Sequence, residues 1–253
     1  MEVLLYLYIG LIGLCLGSFF NVVGLRLPKG NLWTRSRSYC PSCERTLKAR
    51  DLYPVFSYIF LRGACRTCRA PISPLYPSVE LMTATLFVFA YWQFGLTGEW
   101  VVSLILISLL MIVVVTDLRY MLIPDKLLLF FAPFLLVFRL FIAPFEFWWQ
   151  PLLGSAVGFS LLLLIAIISK GGMGGGDIKL FAVLGLTLGW EKVLLTFMFA
   201  CLIGALMGGI LLLLKKVKRK QPIPFGPFIV AGALISYFYG MDLIHWYRAI
   251  SGF

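Results

Sequence analysis

The chain has 253 residues, 61% of them hydrophobic and only 13% charged, where a soluble domain carries roughly 25% charged residues. A water-soluble fold this apolar would lack the polar surface to cover itself, so the composition excludes an ordinary soluble domain and points to lipid as the solvent. The net charge of +11 would suit nucleic acid if it formed one patch, but the cations gather in a few loops between apolar runs, which is the pattern of membrane topology.

Residues 1–24 are apolar, with Glu2 where a secretory signal would carry its basic region. The stretch is also longer than a signal's apolar core, so residues 3–24 are expected to be a first span. Further spans are expected at 76–94, 100–117, 127–144, 152–169, 178–190, 193–214 and 223–240, apolar runs of membrane-crossing length or close to it. The fold class is therefore an all-α polytopic membrane protein of about eight transmembrane helices, with a polar loop after the first. It divides into an N-terminal part, residues 1–95, and a six-span part, residues 96–253.

The loop 26–74 carries ten Lys or Arg against two acids, Glu44 and Asp51, and the run 215–220 carries five more basic residues. Eight spans put both loops on one side, together with Arg119, Lys126, Lys170 and Lys179. Positive residues mark the cytoplasmic side, so both termini are expected outside. Anionic inner-leaflet lipid is the expected partner of this charge, not nucleic acid. Arg139 falls inside the fourth span, where snorkelling to the outer interface is the plain explanation.

Within the loop, Cys40-Pro41-Ser42-Cys43 and Cys65-Arg66-Thr67-Cys68 are two C-x-x-C knuckles with 21 residues between them. Cytoplasmic thiols stay reduced, and paired knuckles at this spacing suit a tetrahedral four-cysteine zinc site. A structural zinc would order a loop too poor in apolar residues to build its own core. A redox pair or four free thiols are the alternatives. Cys15 and Cys201 lie in spans and are expected to be small packing residues.

Two aspartates stand out at the ends of spans. Seventeen residues lie between Glu99 and Asp117, about 25 Å of helix, so Asp117 sits near the cytoplasmic edge of the apolar layer. Asp177 follows five glycines in the six residues 171–176, a run that cannot be a stable helix in lipid. Irregular backbone at that depth belongs in a protein-lined, wet cavity. Topology gives both carboxylates the same face at similar depth, and two adjacent carboxylates share a proton. That is the requirement of aspartyl proteolysis: one activates water while the other protonates the carbonyl or leaving amine. Asp177 at a helix start would be the base, and Asp117 at a helix end would keep the proton. As an alternative, Asp177 simply caps a helix beginning at Ile178 and Asp117 is a solvated helix-end residue. A transporter with a broken-helix ion site and a non-catalytic assembly platform are the competing functions.

At these residues the sequence resembles the type IV prepilin peptidases, bacterial leader peptidases with a G-x-G-D motif. Gly172-Met173-Gly174-Gly175-Gly176-Asp177-Ile178-Lys179 fits the family's G-M-G-x-G-D-x-K, and Asp117 precedes Ile123-Pro124-Asp125 at the family's spacing. Gly17-Ser18-Phe19-Phe20-Asn21-Val22-Val23 with Arg26-Leu27-Pro28, Tyr76-Pro77-Ser78-Val79-Glu80-Leu81 and Pro224-Phe225-Gly226-Pro227-Phe228 resemble three further blocks. Arg119 departs from relatives that often carry Asp or His there.

The resemblance implies an enzyme of the bacterial cytoplasmic membrane. It would remove the basic leader of type IV prepilins and pseudopilins at the cytoplasmic face. In many members it would also methylate the new N-terminal residue with S-adenosylmethionine. It assigns Asp117 and Asp177 as the catalytic pair, supported by Gly174, Gly176, Lys179 and Asp125. Glu80 is a candidate contact for the leader or the methyl donor, or else an ordinary interfacial residue.

Overall fold

The computed structural model describes residues 2–30, 32, 37–170, 172–217 and 223–251; Gly171, Arg35, Lys218, Arg219 and Lys220 lie outside the described residues. The helices are α1 (Glu2–Arg26), α2 (Phe56–Phe60), α3 (Leu75–Phe94), α4 (Gly98–Tyr120), α5 (Asp125–Phe141), α6 (Gln150–Ile168), α7 (Gly175–Leu213) and α8 (Gly226–Ser251). Among the described residues β pairing is limited to two isolated bridges, Tyr39 with Thr46 and Ala64 with Pro71.

Among the described residues five helical stretches are long and apolar enough to cross a membrane: Glu2–Lys29, Gly98–Tyr120, Gln150–Ile168, Gly175–Leu213 and Gly226–Ser251. The difference from the expected eight has local causes. α3 carries Glu80, two tyrosines and Gln93 among its apolar residues, and α5 has only 17 residues. The expected spans 178–190 and 193–214 form one 39-residue element, α7, broken at Gly189. An unbroken helix of that length would reach about 58 Å, nearly twice the hydrocarbon layer.

The chain groups into two compact units, Met1–Arg119 and Tyr120–Phe253. In the first, α1 and α3 pack antiparallel through small residues. A Cβ on Gly13 would lie 2.6 Å from the Ala84 Cα, and one on Gly17 would lie 2.7 Å from the Glu80 Cα. Gly24 likewise admits Val115 of α4. At the other end, Tyr91 makes edge contacts with Tyr6 at 5.1 Å and Trp100 at 6.0 Å. α4 differs from the other candidate spans in being largely buried, from Leu109 to Asp117 without interruption.

In the second unit α6 crosses α7 at Gly154 and Gly185, where a Cβ on either would fall within 2.3 Å of the other's carbonyl oxygen. Backbones can approach this closely only because both residues are glycine, the usual device of helix association in lipid. α8 packs on the later part of α7 in the same way, with Gly232 against the Thr196 carbonyl. Outward faces carry bare apolar side chains such as Leu129, Phe141, Ile168 and Leu213. Lipid is the solvent in which that surface is stable.

Candidate active site and metal centre

The four cysteines of the loop meet. One ligand atom from each of Cys40, Cys43, Cys65 and Cys68 lies within 4.8 Å of the others, and the Cys40 and Cys68 sulfurs are 3.7 Å apart. A regular tetrahedron with metal–sulfur bonds of about 2.3 Å needs sulfur separations near 3.8 Å. The cluster therefore has the dimensions of a four-thiolate metal site.

The two knuckles are built alike. Cys40 N–H donates to the Arg45 carbonyl at 2.9 Å, and Cys65 N–H donates to the Ala70 carbonyl at 2.8 Å. The residue after each second cysteine, Glu44 (φ 53°) or Arg69 (φ 58°), turns the chain back with a positive φ. Each tight turn aims backbone N–H groups at its first sulfur. The Cys43 and Ser42 N–H groups bring the Cys40 thiol below its ordinary value. Those of Cys68 and Thr67 bring Cys65 down to about 6. At Cys68 the Ala70 N–H favours the thiolate, but burial and the neighbouring thiols outweigh it and push the group up to about 11. The knuckle backbone thus favours the thiolate, the form that binds metal.

Asp51, one of the two acids among ten cations, holds the loop together. Its side chain is almost fully buried, it pairs with Arg45, and it accepts from Arg66 Nε at 2.9 Å. It also accepts from its own turn at Lys48 N–H, at 3.2 Å. Burial pushes its pKa up, but Arg66, the Lys48 N–H and Arg45 together hold it below its ordinary value. Arg45 and Arg66 come from different knuckles, so one carboxylate ties both. The sequence offered only the scarcity of acids as a signal for this residue.

Glu80 is buried in the first turns of α3, and its Oε2 accepts from the Val55 N–H at 2.7 Å. Val55 has φ 61° and ψ −51°, a conformation a β-branched residue rarely takes. Glu80 therefore pins a strained point of the loop to the helix. Near it, Asn21 donates from Nδ2 to the Tyr76 carbonyl at 3.1 Å and the Gly17 carbonyl at 3.2 Å, joining α1 to the start of α3. Two of the motif blocks thus meet through one side chain.

Asp117 belongs to the first unit, in the last turn of α4, and is 6% exposed. Asp177 belongs to the second. The expected helix start at Ile178 lies three residues too late: α7 begins at Gly175, with Gly174 as its N-cap. Gly175 and Gly176 form the first turn, so Asp177 is the third helical residue and not the cap. A carboxylate there still meets the positive helix pole.

The glycines around Asp177 have different surroundings. A Cβ on Gly174 would meet Asp177 Oδ2 at 3.1 Å, one on Gly176 would meet the Ile123 Cβ at 3.0 Å, and one on Gly175 would meet nothing within 4 Å. The glycines keep the space beside the carboxylate open on one side and allow close packing on the other. Lys179 Nζ lies 2.6 Å from Asp125 Oδ2, joining the start of α5 to the start of α7; both groups are exposed.

Taken together, the apolar helices, the four-thiol cluster and the glycine-led aspartate define a polytopic membrane protein with a loop whose four cysteines could hold a metal ion. A sequence model of the bacterial peptidase A24 N-terminal domain matches residues 11–94, and one of the type IV leader peptidase family matches residues 104–209. The chain is 46% identical over 235 residues to a prepilin leader peptidase/N-methyltransferase of Bacillus subtilis, covering 93% of this chain and 94% of the relative. Relatives of the same name in Legionella pneumophila and Pseudomonas aeruginosa are each 33% identical. Those alignments cover 96% of this chain and 94% and 93% of the relatives. No solved structure gives a significant match. The chain belongs to the type IV leader peptidase family.

Proposed function

We infer that this chain cleaves the leader peptide from type IV prepilins and pseudopilins and then N-methylates the residue so exposed. The near full-length agreement with relatives of that name carries the reading. Asp117 and Asp177 supply the two carboxylates. Asp177, in the first helical turn, is the more readily ionised and activates the attacking water. Asp117, buried at a helix end, retains the proton and delivers it to the scissile carbonyl or the leaving amine. Gly174 and Gly176 leave room for an extended substrate backbone, and Lys179 and Asp125 brace the turn that holds Asp177.

The four cysteines fit zinc in number, chemistry and spacing. The ion orders the loop when bound. S-adenosylmethionine is the implied methyl donor and supplies an electrophilic methyl on a cationic sulfur. A buried carboxylate suits a sulfonium, which makes Glu80 the proposed contact. Its burial argues against a role in gripping a basic leader, for which the exposed Asp125 is better suited.

The proposed setting is the bacterial cytoplasmic membrane, with eight crossings counted as α1, α3, α4, α5, α6, the two parts of α7, and α8. Both termini lie outside, and the active site and the basic loop, which attracts anionic lipid, face the cytoplasm. Residues 1–95 then form the loop-bearing part and residues 96–253 the protease part. No nucleic acid is expected as a partner.

The test is co-expression with a prepilin, reading leader removal and N-methylation by mass spectrometry. Asp117→Asn and Asp177→Asn should each lower cleavage by about 10²- to 10⁴-fold, the range typical of a lost general acid or base. Full cleavage by either variant removes that residue from the mechanism, and an unprocessed prepilin with the wild type removes the assignment.

A further inference from the structure

Arg139, in the last turn of α5, is only 4% exposed. Snorkelling would have put its head group at the membrane interface. The guanidinium instead turns into the protein. Its Nε donates to the Thr187 carbonyl at 2.8 Å, and an Nη donates to the Ala143 carbonyl at 3.3 Å. The ring of Phe145 lies 4.7 Å from its central carbon, and that of Tyr237 lies 5.9 Å away. A charged group inside a span is costly and marks function by default.

What it reaches explains the cost. Thr187 stands two residues before Gly189, where α7 breaks with φ 77° and ψ 176°, a conformation open essentially to glycine alone. The break interrupts the helical ladder, and carbonyls in the turn before it need outside donors. Arg139 supplies one to Thr187. Phe145 covers the break itself, its ring 3.6 Å from where a Gly189 Cβ would be. The segment that ends here is the one whose first turn holds Asp177. It carries a carboxylate at its positive pole and meets a guanidinium at its negative pole, both favourable. The Asp125–Lys179 contact joins the opposite ends of α5 and this segment, so α5 runs beside the aspartate helix and holds it at both ends.

We propose that Arg139 is a positioning residue for leader cleavage: it caps the helical segment 175–188 at the break, setting that segment's length and tilt and so the depth of Asp177. This rests on the reading of Asp177 as a catalytic carboxylate. Arg139 meets the segment at the end opposite Asp177. Its effect should therefore fall on kcat, because displacement of a catalytic group by about 1 Å can cost on the order of 100-fold in rate.

The experiment uses the full chain in detergent with a purified prepilin. Arg139→Met should lower kcat by about 10- to 100-fold with KM held within about twofold. Amides of residues 175–180 should exchange with deuterium faster while α1 and α3 stay unchanged. Arg139→Lys, which still places a cation by the Thr187 carbonyl, should recover most of the rate. Gly189→Ala, which cannot adopt the break, should reproduce Arg139→Met, and the double variant should be no worse than either. Wild-type kcat in Arg139→Met overturns the proposal. So does a uniform loss, in which kcat, KM and exchange throughout the chain worsen together and Lys rescues nothing. Asp177→Asn run alongside separates the two readings: if it still cleaves, the catalytic assignment falls, whereas the exchange pattern of Arg139→Met still reports whether the cap exists.

Discussion

The loop between α1 and α3 and the crossing of α6 with α7 order the chain by opposite means. In the loop, short turns poor in apolar contacts are held by polar groups: four converging thiols, Asp51 bridging Arg45 and Arg66, and Glu80 on the Val55 N–H. At the crossing the contact is backbone on backbone. Gly154 and Gly185 bring two backbones together, and order comes from the absence of side chains. Water around a loop permits many conformations, so specific polar contacts must select one. Lipid gives apolar helices no hydrophobic reason to associate, so fit between surfaces must do the selecting.

Removing the metal should break the first kind of order most completely. Cys65→Ser, or a chelator on the wild type, is expected to take zinc from one ion per chain to none. Trypsin should then cut at Arg45, Lys48, Arg62 and Arg66 within the loop, while α6 and α7 keep their protection. A metal-free preparation whose loop resists trypsin like the wild type would refute the metal's structural role.

The second kind should yield to bulk. Gly185→Val places carbon where the Gly154 carbonyl lies, a Cβ at 2.1 Å, and overpacking of this kind typically costs about 1–3 kcal/mol or more. Thermal unfolding in detergent should report it, with zinc content unchanged. Gly209, also in α7, has nothing within 4 Å of its Cβ position. There Gly209→Ala should be neutral or stabilise by up to about 1 kcal/mol, the helical preference for Ala over Gly. Equal effects from the two substitutions would mean that propensity, not packing, governs α7.

These two regions also differ in how far they could be read from the sequence. The cysteine spacing pointed to its own site, because two C-x-x-C turns supply four like ligands, and the four do converge to the spacing a metal ion needs. Asp51 did not declare itself: nothing in the order of residues says which of ten cations meet it. The α6–α7 crossing was equally silent, since a glycine in an apolar run reads alike whether it faces lipid or another backbone. The break at Gly189 was anticipated as a boundary between two spans, residues 178–190 and 193–214. Its form was not: nothing in the order of residues says that Gly189 takes φ 77° inside one continuing element, or that Arg139 of α5 donates to the Thr187 carbonyl two residues before it. The start of α7 was misplaced by three residues because glycines argue against helix on propensity. Here the N-cap at Gly174 and the packing of Gly176 on Ile123 override that propensity.

Acid should loosen the loop through Asp51. Its folded-state pKa lies below the ordinary value of 3.8, so its contribution is complete above about pH 4 and disappears as pH falls through the lower folded value. Asp51→Asn should therefore speed tryptic cutting of the loop at pH 7. The gap between variant and wild type should close when unfolding is followed down to strong acid. A gap that stays constant with pH would mean that the carboxylate's charge is not what binds the two knuckles.

The smallest effect is expected where the loop's kind of contact appears in the second unit. Lys179 and Asp125 form an ion pair whose side chains are 53% and 66% exposed. Exposed pairs are usually worth less than about 1 kcal/mol, because water and salt screen them and two flexible side chains must be ordered. Asp125→Asn and Lys179→Met should each shift unfolding only slightly, and the coupling in a double-mutant cycle should shrink as salt is raised. Leader cleavage offers a sharper readout than stability, since Lys179 stands two residues after Asp177 in the same helical turn and the pair is proposed to brace it. If Asp125 also meets the basic leader, Asp125→Asn should raise KM in a salt-dependent way while Lys179→Met does not. Equal KM changes in the two variants would confine Asp125 to bracing the turn.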